Sequence, residues 1–448
     1  MLERRLGPLD AAAIIVSNVI GGGILFTAPL VAASVPDAWW FLLTWLAGGL
    51  LALAGAMAYA ELAALRPRAG GEYVYLREAY GPLAAFLTGW TSFVAGFSGA
   101  VAVSAVVLAD YMGRFVPLAA SRTPIVTVPL PVVPLTVTPQ ALTAILVIGL
   151  MSWVHLRGVG PGRLMSNLLA SLKVSALVLF IVLGLSLGVG SVAHFESSGG
   201  VPASGWLLAL IPVMFTYSGW NAASYVAEEI RDPGRNVPRA LALGTIAVIT
   251  IYVALNAVYV YVFPLATLAA LEGSVLDRVA DRLLGSAAGD VMGVVAIISL
   301  AASISAMVFA GPRVYYAMAR DGLFFASAGR VHRRYRTPAA SILAQAAWSA
   351  VLVLSAKADA LVGYTGFAVV LFSGIAGAAL FVLRWRNPDE PRPFRAWGYP
   401  LAPGIFVVVS ALILLNAIWR SPGPTGAGVL VILAGLPLYY WLRFASRN

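Results

Sequence analysis

The stretch Phe215-Thr216-Tyr217-Ser218-Gly219-Trp220-Asn221 puts hydroxyls, an amide and a glycine in the middle of an apolar segment. A helix in a bilayer satisfies its own N–H and C=O groups. A break frees them, and hydrocarbon offers no partner. Freed groups persist only against protein, water or a ligand, and broken helices of this kind form midplane sites for polar cargo. The chemistry open to this stretch is binding rather than bond-making. The competing reading is a small-residue face packed on a neighbouring helix. A second stretch, Ser17-Asn18-Val19-Ile20-Gly21-Gly22-Gly23, has the same character. A glycine inside a helix costs about 1 kcal/mol relative to alanine. Three in succession point in all directions rather than along one face, which favours a break over a packing stripe. Lys173 lies about 15 Å into another apolar segment at 1.5 Å per residue. An ionisable group there is expensive and functional by default.

Other chemistry lacks its residues. The three histidines, His155, His194 and His332, fall at segment ends or in loops. HExxH does not occur, and the GxSxG match at Gly184-Leu185-Ser186-Leu187-Gly188 ends an apolar run rather than following a strand, so the enzyme reading has no support. Gly158-Val159-Gly160-Pro161-Gly162 follows no strand and does not read as a dinucleotide loop. A channel or receptor remains a further alternative, which the two breaks and the buried lysine disfavour. Asp10, Glu61, Asp110, Glu228, Glu229 and Asp290 all fall near segment ends. No carboxylate is therefore expected to meet a cationic cargo side chain or a metal, and no metal or cofactor is expected. With no cysteine there is no thiol-ligated metal and, as an expectation, no disulfide-linked ancillary subunit.

These residues sit in a chain of 448 residues that is 60% hydrophobic and 11% charged, against about 25% charged in soluble domains. It reads as an all-α polytopic membrane protein whose partner is the lipid bilayer. At about 20 apolar residues per crossing, twelve segments emerge, roughly 10–34, 38–65, 83–113, 136–156, 163–189, 204–229, 238–263, 288–319, 338–356, 358–384, 399–419 and 425–443. The net charge of +10 does not point to nucleic acid, because 22 of the 29 Lys and Arg fall on one set of alternating loops and tails and 6 on the other. That asymmetry places both termini in the cytoplasm. Arg4-Arg5, an apolar run and Val31-Ala32-Ala33-Ser34 imitate a signal peptide, but Asn18 and the glycines interrupt the run, so a first spanning helix is expected. The lack of cysteine and of any Asn-x-Ser/Thr sequon suits a bacterial cytoplasmic (inner) membrane.

The two interrupted segments, the first and the sixth, are five apart, as an inverted repeat of five plus five requires. The whole chain, 1–448, is then one transmembrane domain: repeat one at about 10–189, repeat two at about 204–384, and two appended segments at about 399–443. Arg66–Pro82 is a cytoplasmic loop by its arginines, and reads either as a solvated connection or as a short helix that closes the inward vestibule. The 114–135 connection is rich in Pro and Thr, and 264–287 is charged enough for a short helix.

Four motifs in order resemble the amino acid–polyamine–organocation (APC) transporter superfamily, most of all its L-type amino-acid transporter branch. They are the Gly21–Gly23 triplet, Gly70-Gly71-Glu72-Tyr73, Tyr217-Ser218-Gly219-Trp220-Asn221 with Glu228-Glu229 and Arg235-Asn236-Val237-Pro238, and Ala319-Arg320-Asp321-Gly322 with Thr337-Pro338. The resemblance covers about residues 5 to 395. It implies a LeuT-type 5+5 fold and alternating access. It implies that backbone N–H groups of Gly21, Gly22 and Gly23 hold a substrate carboxylate, and that carbonyls of Val19, Ile20, Phe215 and Ser218 hold its ammonium. Helix-end physics agrees with both. Where the family triplet usually has serine in the middle, this chain has Gly22, so a hydroxyl donor is lost. Phe215 matches the aromatic lid, with Tyr217, Ser218 and Asn221 completing pocket and gate. Lys173 takes the place of a sodium ion in coupled relatives, with carbonyls near Gly21 and the hydroxyl of Ser303 or Ser305 as partners. The implied function is sodium-independent exchange of small neutral L-amino acids of the Ala, Ser, Gly and Cys type. The alternative is proton-coupled symport with a broader neutral range.

Overall fold

The computed structural model describes residues 4–129, 134–187, 189–196, 199–271, 275–355, 358–420 and 422–445. The chain starts with Pro8–Val19 (α1) and Gly22–Ser34 (α2), which meet at a bend of 46°. Ala38–Leu65 (α3) is capped by the Asp37 carboxylate, which accepts from the Trp40 N–H at 3.0 Å. Glu72–Tyr80 (α4) and Pro82–Thr91 (α5) follow, then a π-helical turn at Ser92–Gly96 and Phe97–Met112 (α6). Pro139–Leu156 (α7) is capped by Thr138 and leads to Val159–Leu187 (α8). Ala203–Tyr217 (α9) stops at Ser218, and Ala222–Tyr225 (α10) is a single turn before Pro233–Val262 (α11). Leu265–Ala269 (α12) and Leu276–Leu284 (α13) precede the longest helix, Ser286–Arg320 (α14). Ala339–Ser355 (α15), Ala358–Arg386 (α16), Leu401–Arg420 (α17), Pro422–Leu433 (α18) and Gly435–Ala445 (α19) complete it. Proline opens α1, α5, α7 and α11, where its missing N–H is harmless.

Among the described residues nine helices are long and apolar enough to cross a membrane, and the bent pair α1–α2 makes a tenth. The apolar helices Gly205–Tyr217 and Ala339–Ser355 are shorter, and the twelve expected segments include both. Lipid-facing positions stay exposed, as on α7, where Leu146, Leu150 and Trp153 point outward while Ala144, Ile148 and Met151 are buried. Most of the core forms one cluster that includes α14, which packs against α6, α8, α1 and α15, and Ala69 and Tyr316 make a small separate one.

Three local expectations change. The 114–135 connection carries a two-stranded antiparallel hairpin, β1 (Val126–Val128) with β2 (Leu135–Val137), because its Val and Thr residues suit an extended pair. The 264–287 connection carries two helices, and α13 is strapped to α14 by Arg114, which reaches Asp277, Asp281 and Asp290 at 3.1, 3.0 and 2.7 Å. Parts of both connections, 130–133 and 272–274, lie outside the described residues. Arg313, counted above with the loops, is inside α14 and buried, paired with Glu229 at 2.8 Å. A full charge at that depth is tolerable only with such a partner.

Candidate functional site

The two breaks lie side by side. Asn18, at the end of α1, donates from Nδ2 to the Gly219 carbonyl at 3.3 Å. Gly219 has φ +96, and a Cβ there would run into the Asn18 amide. Only glycine fits both demands. Tyr252 of α11, fully buried, ties the breaks together: its hydroxyl reaches the Val19 carbonyl at 2.7 Å and the Thr216 carbonyl at 3.3 Å. On the far side of the bend, Gly23 lets α2 approach α9 so closely that a Cβ would sit 2.9 Å from the Thr216 Cα. The Thr27 and Thr216 hydroxyls bond at 2.8 Å across that contact. A Cβ on Gly21 would meet Ser303 Oγ at 2.5 Å, whereas one on Gly22 meets nothing closer than 3.5 Å. The triplet therefore breaks the helix and packs closely as well.

Lys173 reaches the α1 break from α8. Its ammonium donates to the carbonyls of Ser17 at 3.2 Å, of Ile20, and of Ser299 at 3.3 Å. Three N–H donors meet three acceptors. The α14 partner is thus the Ser299 backbone. The Ser303 and Ser305 hydroxyls, expected in that role, are engaged elsewhere: Ser303 donates to the Asn18 carbonyl at 3.3 Å and Ser305 bonds His155 at 2.8 Å. α14 presents its backbone to the lysine one turn earlier than those serines.

Against the breaks lies a cavity of about 90 Å³. Asn18, Phe215, Ser218, Gly219 and Asn221 form one wall, and the π-turn residues Ser92 and Gly96 with Phe97, Thr365 and Phe372 form the other. Of the residues singled out from sequence, Phe215, Ser218 and Asn221 line it. Gly21, Gly22 and Gly23 do not, nor do Val19 and Ile20, whose carbonyls are held by Tyr252 and Lys173. The Phe215 carbonyl accepts from the Ser218 N–H at 2.9 Å. Tyr217 points away, with its hydroxyl on the Trp45 carbonyl at 3.0 Å.

One cavity residue overturns an expectation. Glu72, the first residue of α4, lines the cavity. Its Oε1 accepts from Tyr59 at 2.6 Å and from Asn221 Nδ2 at 2.7 Å. A carboxylate residue therefore does line the cavity. It was missed because spacing and neighbouring arginines read as a solvated loop, while the chain folds α4 inward beneath the break. The Gly70-Gly71 pair was the available signal: both have positive φ, and Gly71 packs on Tyr225. Tyr252 carried no signal, being one aromatic in an apolar helix.

Comparisons with known proteins fit this architecture. A family model described as amino acid permease matches residues 6–442. The chain is 28% identical over 446 residues to the large neutral amino acids transporter small subunit 2 of Homo sapiens, covering 98% of this chain and 80% of the relative. It is 28% identical over 446 residues to the Asc-type amino acid transporter 1 of Mus musculus, covering 98% and 81%. It is 31% identical over 445 residues to the b(0,+)-type amino acid transporter 1 of Rattus norvegicus, covering 98% and 88%. One expectation is corrected here, that of no disulfide-linked ancillary subunit. A relative of near-full coverage is named a small subunit, one part of a larger assembly, so missing cysteines are no ground for expecting a transporter that works without one. The chain belongs to the amino acid permease family of the APC superfamily and is an integral membrane transporter of the L-type kind, not an enzyme.

Proposed function

We propose that this transporter exchanges small neutral L-amino acids, of the Ala, Ser, Gly and Cys type, independently of sodium and by alternating access. The observation that carries the reading is the Lys173 ammonium on the carbonyls of Ser17, Ile20 and Ser299. It supplies, from within the chain, a cation that ties the broken helix to α14. The cavity of about 90 Å³ supports small cargo. Ser218 narrows that space without adding charge.

In this reading the N–H groups at Gly22 and Gly23, in the first turn of α2, take the substrate carboxylate, joined by that of Gly21, which leaves the Val19 carbonyl it bonds at 2.8 Å when the breaks part. The carbonyls of Val19, Ile20, Phe215 and Ser218 take the ammonium. Each carbonyl has two lone pairs, so an internal donor does not exhaust it. Phe215 closes over the cargo. The two breaks belong to corresponding helices of a 5+5 inverted repeat, and the basic face lies in the cytoplasm of a bacterial inner membrane.

Counterflow of labelled alanine in proteoliposomes tests this, with and without sodium, against the twenty amino acids. Exchange without sodium, competed best by alanine, serine, glycine and cysteine, is the expected result. A strict sodium requirement refutes the lysine-for-sodium idea. Competition by tryptophan but not alanine refutes small cargo. A second reading, proton symport, draws on the cavity-facing Glu72; concentrative uptake driven by a pH gradient, with no internal amino acid, favours it.

A further inference from the structure

Among the described residues three glutamates are buried, Glu61, Glu72 and Glu229. Two of them have arginine partners: Glu61 pairs with Arg384 at 2.7 Å and Arg392 at 3.1 Å, and Glu229 with Arg313 at 2.8 Å. Glu72 has none among the described residues; its partners there are Tyr59, Tyr225 and Asn221. It is also the one of the three that lines the cavity. Behind the same lining, Asn18 Oδ1, an acceptor, and Thr91 Oγ1, a hydroxyl that donates as well as accepts, are buried without a hydrogen-bond partner among the described residues. A cavity lined by a carboxyl with no cationic partner is short of positive charge. Native interiors rarely leave such groups unpaired, and a donor-rich cationic guest supplies what is missing.

We propose that Glu72 is a specificity-determining residue of this cavity, admitting amino acids with a short cationic side chain when it is ionised and neutral ones when it is protonated. The proposal rests on amino-acid transport, which the family establishes, and on neither exchange nor sodium independence.

An isolated anion in a low-dielectric site either recruits a cation or takes up a proton. Burial pushes the Glu72 carboxyl up to about 7, although hydrogen bonds from Tyr59, Tyr225 and Asn221 pull the other way. The amino-terminal turn of α4 also favours the anion. The titratable neighbours are Tyr59 on α3, Tyr75 on α4 itself and Tyr225 on α10. All three are phenols, whose ordinary value of about 10 leaves them neutral near pH 7. α1, the π turn and α16 present Asn18, Ser92 and Thr365, none of them charged. Glu72 is therefore the group whose charge changes. Below about pH 7 it is neutral and can donate its proton to a neighbouring oxygen; above it the anion attracts an ammonium.

Binding to the purified protein tests this, because binding does not depend on the transport cycle. Apparent affinities for alanine and for 2,4-diaminobutyrate are measured by ligand-induced thermal stabilisation at about pH 6 and about pH 8, one unit either side of the midpoint. The ratio favouring the diamino acid should rise about a hundredfold from the lower to the higher pH, about tenfold from the ionised fraction that the diamino acid needs and about tenfold from the protonated fraction that alanine needs. Glu72→Gln should flatten the ratio. Glu72→Asp, which keeps the carboxyl, should restore the rise. A flat ratio in the unaltered protein overturns the proposal even if Glu72→Gln does not fold. A rise that survives in Glu72→Gln overturns it too.

Discussion

At the scale of single residues, the junction of the two breaks is the most demanding place in the molecule. Gly219 combines a left-handed backbone with direct packing on Asn18. Gly219→Ala should cost about 1–3 kcal/mol, the usual penalty for strained backbone, and should abolish uptake. Asn18→Gly in the same chain removes the steric part and leaves the backbone part, so partial recovery of thermal stability is the expected readout; full recovery would show that φ is not a constraint. Phe215 is different, because it faces empty space and the opposite helix. Phe215→Ala should slow transport at least about tenfold through lost occlusion, with a stability loss well below the 3–5 kcal/mol of a core phenylalanine. Normal transport by a well-folded Phe215→Ala protein would exclude a lid. Residue types announced Gly219 and Lys173, because each is out of place in lipid, and the family resemblance pointed to Phe215. They did not announce Glu72 or Tyr252. A carboxylate beside glycines and arginines looks solvated, and a tyrosine in an apolar helix looks like packing. Only the path of the chain decides otherwise.

At the scale of elements, apolar length and interrupted periodicity made the spans and both breaks legible. What stayed hidden was how elements pair, since α14 meets α8 and α1 through contacts far apart in sequence. The hairpin in the 114–135 connection was hidden for another reason: three-residue strands are too short to show alternation. Lys173 is the clearest case of one element acting on two others. From α8 it binds the carboxyl end of α1 and the α14 backbone together. Lys173→Met keeps the apolar stem and removes all three donors. Each buried carbonyl left unmatched costs about 1–3 kcal/mol, so a clear fall in unfolding temperature is expected. Exchange should slow by more than the loss of folded protein explains. Lys173→Met protein that matches the unaltered chain in both respects would show that α1 is held by packing alone.

At the scale of the molecule, the face that carries the amino terminus is tied by ion pairs and backbone bonds converging on the same few segments. Arg5 and Leu6 donate their N–H groups to the Glu229 carbonyl, and Arg313 holds the Glu229 carboxylate from α14. Asp321, just past α14, takes Arg77 at 2.5 Å and the Tyr73 hydroxyl at 3.0 Å, which ties α4 to the same face. α4 carries Glu72 under the cavity, so releasing α4 should open the cavity toward this face. Asp321→Asn removes a partly exposed tie worth about 1 kcal/mol, enough to shift a two-state population about fivefold. The chain has no cysteine, so Ser218→Cys places a single thiol on the cavity wall without background. A membrane-impermeant thiol reagent applied to the amino-terminal face should then label that thiol several-fold faster when Asp321→Asn is added. High salt should act in the same direction, because it screens the pair. Labelling from the opposite face should fall, since the two openings draw on one population. Equal rises on both faces would mean general loosening instead, and unchanged rates would mean that Asp321 is no part of the closure.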